Sequence, residues 1–185
     1  AQVKGLRINM GSRGPGQFTV SAGLIQARGL TEANFPIVRH EPTDAFEKIF
    51  CGGTVDLVGE VVPHPVAVIE KLLACGGRFL EIPPDVIEAL IKRNPAFRPM
   101  TIHGGIYKGL PESVLSVGVR NLLISHTRVS AESVARLTRM LWQQTPALRQ
   151  QQPLLATMPP LSTGRDSVEA QRMLMHEGAL RAVLQ

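Results

Sequence analysis

The stretch that decides the fold covers residues 11–30 and reads GSRGPGQFTVSAGLIQARGL. Three glycines and a proline open a segment whose apolar residues follow helical spacing, and Gly29 is placed to end it. The residues before it, 5–10, alternate as a strand does. This pattern predicts a strand, a tight turn and a helix, which is one step of an α/β fold.

The glycine turn itself has two interpretations. Glycines between a strand and a helix allow positive φ and close approach, and the first amides of the helix lack partners, which suits a bound anion. A tight turn without a ligand is equally typical of α/β proteins. The spacing of Gly11, Gly14 and Gly16 is not the dinucleotide fingerprint, and no Gly-Lys-Ser/Thr follows it, so both nucleotide motifs are excluded.

The composition weighs against several classes of function. The chain has 185 residues, 44% of them hydrophobic, and a net charge of +5. Its basic residues are scattered, and one tryptophan, one tyrosine and six phenylalanines make no stacking ladder, which argues against nucleic acid as a partner. The five histidines share no ligand spacing, so we expect no metal and no cofactor. No Gly-x-Ser-x-Gly motif or nucleophile–base pair occurs, and we therefore expect no enzyme.

The two cysteines stand in similar contexts, each before a pair of glycines at the end of a predicted helix. Cys51 precedes Gly52 and Gly53, and Cys75 precedes Gly76 and Gly77. Successive helix ends fall on one edge of a doubly wound sheet, so the sulfur atoms can be neighbours. We favour free, buried cysteines that act as small hydrophobes and keep a disulfide as the alternative.

Strands and helices alternate regularly over the first hundred residues. The predicted strands are residues 5–10, 35–39, 54–60 and 78–82, and the predicted helices are 17–27, 42–50, 65–74 and 84–93. This order predicts an α/β fold with a doubly wound, mostly parallel sheet. We place a ligand-binding lobe at residues 1–112.

The character of the chain changes after residue 100. A glycine-rich loop, residues 101–111, precedes an extended apolar segment, 114–125, and helices at 130–144 and 166–184. We assign residues 113–185 to a return strand and helices of an incomplete second lobe. The extended segment is expected to need sheet neighbours outside the chain, and a homodimer is one way to supply them.

The order of these motifs resembles the solute receptors of TRAP transporters of the TAXI type, which are extracytoplasmic proteins with two lobes of the type II periplasmic-binding fold. The match covers nearly all of this chain and about the later two thirds of the family's usual length. It rests on Gly14-Pro15-Gly16-Gln17, Val55-Asp56 with Pro65, Ile102 with Gly105, Tyr107 and Gly109, Val117 and Val119, Val134 with Leu137 and Thr138, Pro160-Leu161 with Gly164, and Glu177-Gly178.

The resemblance implies a cleft that binds a small carboxylate or amino acid and presents it to TRAP membrane subunits. It also implies a periplasmic location, with a signal segment upstream of residue 1. Pro15 and Gln17 replace the serine and threonine of the family's turn, which changes the donors available to a ligand. A sensory or interaction module that keeps the lobe fold without ordinary solute capture is the alternative.

We expect the ligand to be bound by residues of the turn, of the strand end and of the loop after residue 100. Each has a structural alternative, such as a solvated arginine, a rim carboxylate, a capping histidine or a packed tyrosine. Asp56 is instead expected to make a structural hydrogen bond. The predicted ligand-binding residues are Arg13, Gly14, Gly16, Gln17, Glu60, His64 and Tyr107.

Overall fold

A parallel sheet of three short strands lies at the centre of the first part of the chain. The computed structural model describes residues 3–14, 16–119, 123–152, 155 and 175–184, and the chain divides into two units, residues 1–120 and 121–185. Strands β1 (Ile8–Asn9), β2 (Val38–Arg39) and β3 (Leu57–Val58) have the order β2-β1-β3. Ile8 pairs with both Val38 and Leu57, so β1 is the central strand.

Helices cover both faces of this sheet, because neighbouring residues of a strand point to opposite sides. Leu57 packs with the cluster of Ile8, Met10, Ile25 and Phe35 beneath helix α1 (Gln17–Ala27). Val58 packs on the other side, with the cluster that includes helix α2 (Ala67–Ala74). The predicted mixed α/β lobe with a small parallel sheet is confirmed. Its assignment to the type II periplasmic-binding fold and the lobe boundary after residue 112 stay predictions.

An antiparallel hairpin follows helix α3 (Pro84–Arg93), which packs against α1. Strands β4 (Phe97–Ile102) and β5 (Val114–Val119) pair in register from Phe97 with Val119 to Ile102 with Val114. The sequence analysis missed β4 and placed its last two residues in the loop. β5 therefore has one sheet neighbour, β4, inside the same unit, and the need for further neighbours outside the chain stays a prediction.

Helices α1 and α3 have the predicted bounds, other elements differ from prediction at their ends, and residues 42–50 and 78–82 do not form the predicted kind of element. Residues 42–50 form a 3₁₀ turn, Thr43–Ala45, and a π-helical turn, Glu47–Cys51, instead of an α-helix. The amide of Thr54, five residues on, donates to the carbonyl of Ile49 at 2.8 Å, which widens the last turn. Residues 78–82 form no strand, although the Ile82 amide donates to the Leu115 carbonyl at 3.0 Å.

A disulfide joins Cys51 to Cys75, so the preference for free cysteines was wrong. Both residues are exposed rather than buried, which removes the physical reason for that preference. The bond links the end of the π-helical turn to the end of α2. An ion pair between Lys71 and Glu47, with Nζ and Oε2 2.6 Å apart, joins the same two elements.

The second unit contains helices α4 (Ala131–Gln151) and α5 (Glu177–Leu184). As predicted, Ser130 caps α4, and its Oγ accepts from the Ser133 amide at 3.2 Å. Gly178 allows close approach of the helices, since a Cβ there would overlap the Ala131 carbonyl oxygen. The first part of the predicted last helix, residues 166–174, lies outside the described residues. None of the described helices combines the length and the apolar character needed to cross a membrane.

Candidate functional site

The carboxyl ends of the parallel strands meet at one edge of the sheet, where open α/β sheets bind their ligands. The chain passes from β1 to β2 on one side and then crosses to β3 on the other, so the strand order reverses at β1. The glycine turn follows β1 directly, and Glu60 lies two residues after β3. The structure therefore brings the turn and Glu60 to this carboxyl edge, which we define as residues 10–14, 16–17, 40–41 and 59–61.

The glycine turn is exposed and open. Gly14 and Gly16 have φ values of 154° and 106°, and a Cβ built on either glycine would meet no atom within 4 Å. Gly16 is the N-cap residue of α1 and has no side chain with which to satisfy the helix amides. The Thr19 hydroxyl, in the first turn of α1, donates instead to the Gly14 carbonyl at 3.2 Å. No side chain therefore caps the N-terminus of α1 beside this open turn.

Gln17 bridges the ends of β1 and β3. Its Nε2 donates to the Gly59 carbonyl at 3.0 Å, and its side chain lies so close over Gly11 that a Cβ there would overlap it. Gly59 is needed in turn because Ser21 Oγ occupies the space of its missing Cβ. The Nε2 group of Gln17 therefore links the two strand ends through its bond to Gly59.

Arg13 is oriented by three neighbours although its side chain is 64% exposed. One of its terminal nitrogens lies 3.0 Å from His40 Nε2 and 3.4 Å from Glu32 Oε2, and the guanidinium carbon lies 5.4 Å from the centre of the Phe18 ring. His40 Nδ1 lies 3.3 Å from the Gly11 carbonyl. Because that oxygen only accepts, Nδ1 carries the proton and Nε2 accepts from Arg13. The arginine is thus held next to the turn.

Glu60 fixes the backbone that leaves β3. Its Oε2 accepts from the Thr43 hydroxyl at 2.7 Å, and its Oε1 accepts from the Val61 amide at 2.8 Å. The side chain is half-buried. Each of its oxygens has a partner within the protein, and a second lone pair on each remains for a ligand amine.

His64 and Tyr107 bind each other. The Tyr107 hydroxyl lies 2.7 Å from His64 Nδ1 and accepts from the Val66 amide at 2.9 Å, and Tyr107 is only 4% exposed. Burial lowers the pKa of His64 and raises the pKa of the Tyr107 hydroxyl. This geometry gives both residues a structural bond, and direct contact of either with a ligand stays a prediction.

Asn9 is a residue of this edge that the sequence analysis missed. It is fully buried, its Nδ2 donates to the Glu41 carbonyl at 3.2 Å, and its Oδ1 accepts from the Glu41 amide at 2.9 Å. The side chain therefore completes the carboxyl edge between β1 and the residues after β2. The signal in the sequence is an asparagine inside an apolar strand just before a glycine turn, where a buried amide needs partners.

Asp56 makes the structural bond that the sequence analysis expected. Its two oxygens accept from Arg7 Nε at 2.9 Å and from a terminal nitrogen of Arg7 at 2.5 Å, and the Arg7 amide adds a bond of 2.8 Å. The guanidinium and the amide of Arg7 lower the pKa of Asp56 to about 2. This ion pair ties the residue before β1 to the residue before β3.

Two further features bear on ligand binding. Within the part of the chain that the structure describes, no three His, Cys, Asp or Glu side chains gather as a metal ion would require. In the second unit an open hollow lies between α4 and α5, lined by Ala131, Glu132, Ala135, Arg139 and Arg181. None of the predicted site residues lines this hollow.

Comparison with models of protein families gives a match to nearly the whole chain. The model of the NMT1-like family, a periplasmic binding-protein-like family, matches residues 1–183. A comparison with the curated proteins finds no match. The family match confirms the predicted resemblance to periplasmic binding proteins in general, and the TAXI type stays a prediction.

Proposed function

The chain belongs to the NMT1-like family, a binding-protein family that is generally non-enzymatic, and we propose that it is an extracytoplasmic receptor for a small organic or amino acid. The receptor delivers its solute to the membrane subunits of a TRAP-type transporter, as the TAXI type does. The family match supports substrate binding in general. The nature of the solute and the transporter belong to the proposal.

The observation that carries the proposal is the open glycine turn at the carboxyl edge. Gly14 and Gly16 leave room for a ligand, the uncapped α1 supplies amide donors and a positive dipole end, and Arg13 is oriented beside them. A carboxylate is the group that satisfies these donors together. Each charge-assisted hydrogen bond contributes about 1.5–3 kcal/mol.

The disulfide supports the location outside the cytoplasm. Disulfides persist in oxidising compartments such as the periplasm and are rare where thiols are kept reduced. Cys51 and Cys75 are exposed, so reductants of the cytoplasm would reach the bond between them. The covalent link therefore fits an extracytoplasmic receptor.

A second candidate function is a sensory or interaction module without ordinary solute capture. One observation favours it: the side chains of Gln17 and Glu60 already have partners inside the protein, as do His64 and Tyr107. A ligand that needs a hydrogen or a lone pair already used in one of these bonds has to displace that bond. Ligand screening separates the two candidates.

The test is thermal unfolding of the protein, expressed from its complete reading frame, against a panel of amino acids and mono- and dicarboxylates. A receptor at a ligand concentration 100 times its Kd gains about 2.7 kcal/mol, and a chain of this size then unfolds about 5–10 °C higher. A panel that leaves the transition unchanged contradicts the receptor and favours the module.

Thr19 offers a matched pair of variants for the ligand found. Thr19→Asp adds a negative charge to the first turn of α1, which suits the helix dipole but repels a carboxylate; we expect affinity to fall about tenfold or more with the fold retained. Thr19→Val removes the same hydroxyl bond to Gly14 without adding charge and is the control. Equal affinities of the two variants would place the ligand away from the turn.

The partners are tested separately. Solute uptake into vesicles that carry TRAP membrane subunits should require addition of the loaded protein. Uptake that proceeds equally without it argues against the transporter role. Sedimentation of the protein with and without its solute tests the homodimer that the sequence analysis raised.

A further inference from the structure

The loop between β4 and β5 packs against the rest of the first unit through Tyr107, Leu110 and Ile106, and Tyr107 adds polar contacts to this packing. Tyr107 is the single tyrosine of the chain, and it packs with Phe46, Ile69, Leu72 and Leu110. Its hydroxyl is the polar atom of this apolar cluster and needs partners. It meets the Val66 amide at 2.9 Å and His64 Nδ1 at 2.7 Å, both just before α2.

The partners of this hydroxyl fix where each proton lies. The Val66 amide only donates, so the oxygen of Tyr107 accepts from it. We assign the phenolic proton to the contact with His64 Nδ1, which makes this nitrogen the acceptor in a neutral ring. A proton added at Nδ1 turns this nitrogen into a second donor towards the same oxygen. The phenolic proton then loses its acceptor inside the core.

We propose that His64 and Tyr107 form an acid-sensitive latch that fastens the 103–113 loop to residues 64–66, and that protonation of His64 opens it. This inference does not depend on the proposed receptor function. It assigns Tyr107 the role of a positioning residue. The segment that it holds begins at the carboxyl edge, where Gly59 accepts from Gln17 and Glu60 binds Thr43.

The groups around the latch set the pH at which it opens. Burial lowers the pKa of His64 from 6.5, and the rings of Phe79 and Tyr107 stand edge-on to the imidazole at 5.9 and 5.7 Å. The charge that acts on the Tyr107 hydroxyl is Glu70 of α2, which raises the pKa of that phenol together with burial. The phenol of Tyr107 is therefore neutral between pH 5 and pH 8, and within this pair His64 is the group whose charge changes in acid.

The lowered pKa of His64 decides at which pH the latch stabilises the folded protein. The neutral form of this histidine is favoured by the folded state, so the latch contributes fully above pH 6.5 and is lost as the pH falls through the lower pKa of the folded protein. Each opening event removes the bond that ties the loop to Val66 and His64. Residues 64–66, which follow the carboxyl edge along the chain, then lose their polar contact with the loop.

The single tyrosine makes the latch directly observable. In protein labelled with ¹³C at the tyrosine Cζ, one NMR resonance reports the hydrogen bonds of Tyr107. We expect it to shift in a single step with a midpoint below pH 6.5. In His64→Asn, where an amide oxygen takes the place of Nδ1 and does not titrate, the resonance should stay constant between pH 8 and pH 5.

A second histidine supplies the matched control. His103 is exposed and lies in the same loop, so His103→Asn should keep the pH-dependent shift of the wild-type protein. Amide exchange at Gly105 and Leu110, whose amides bond to the carbonyls of Leu110 and Tyr107, should accelerate at pH 5 in wild type relative to His64→Asn after correction for intrinsic rates.

A wild-type Tyr107 resonance that does not move between pH 8 and pH 5 overturns the proposal, even if His64→Asn does not fold. The same holds if His103→Asn abolishes the shift or if the shift persists unchanged in His64→Asn. A shift that only the His64 variant removes shows that Tyr107 follows the charge of His64, and faster amide exchange at pH 5 in wild type but not in His64→Asn shows that the loop opens; unchanged exchange overturns the latch.

Discussion

The Cys51–Cys75 disulfide gives the most direct prediction about stability. The two residues are 24 positions apart, and their replacement in Cys51→Ser/Cys75→Ser frees the loop between them in the unfolded chain. The chain-entropy relation gives about 3.5 kcal/mol for a loop of this length. Since both cysteines are exposed, serine removes little buried surface, and the loss should come mainly from the unfolded state.

Urea unfolding of the wild type and the double variant measures this loss. We expect the free energy of unfolding to fall by about 2–4 kcal/mol and the m value to rise, because the unfolded chain exposes more surface without the crosslink. The wild type measured in a reducing agent is the matched comparison and should agree with the double variant. A loss below about 1 kcal/mol in both would refute the argument from chain entropy.

Three further changes test other contacts of the first unit. Asn9→Ala should cost about 2–3 kcal/mol in urea unfolding, because it leaves buried backbone groups without partners. The stability difference between wild type and Asp56→Asn should be full above pH 3.8 and shrink as the pH falls towards about 2, where the carboxylate paired with Arg7 protonates. Gly59→Ala should cost about 1–3 kcal/mol through overlap with Ser21, and Ser21→Ala should restore part of that loss.

The sequence predicted correctly the helices whose ends are marked by glycine or proline residues. α1 begins after a glycine turn and ends before Gly29, and α3 begins with Pro84 at its first turn; both have the predicted bounds. β4 was missed because Pro95 and Pro99 interrupt its pattern, and Pro99 pairs with Val117 in an edge strand where proline is tolerated. Its existence depends on pairing with residues that lie 12 to 22 positions further along the chain.

In the candidate site, too, some features could be predicted from the sequence and others depend on contacts between distant residues. Topology places the glycine turn and Glu60 at one edge, since both follow neighbouring parallel strands. The sequence did not show that the Gln17 side chain would donate to the Gly59 carbonyl, 42 residues away. Nor did it show that the Tyr107 hydroxyl would bond to His64, 43 residues away. Such pairings arise from packing of distant segments, and residue type and spacing alone do not encode them.

The position of β1 has a practical consequence for anyone who wants to shorten this protein. Ile8 and Asn9 carry the backbone ladders to both β2 and β3, so the middle of the sheet is supplied by residues very near the amino end of the given sequence. Trimming the chain past residue 7 would leave two strands facing an empty gap. Shortened versions of the protein should therefore keep residues 8 and 9.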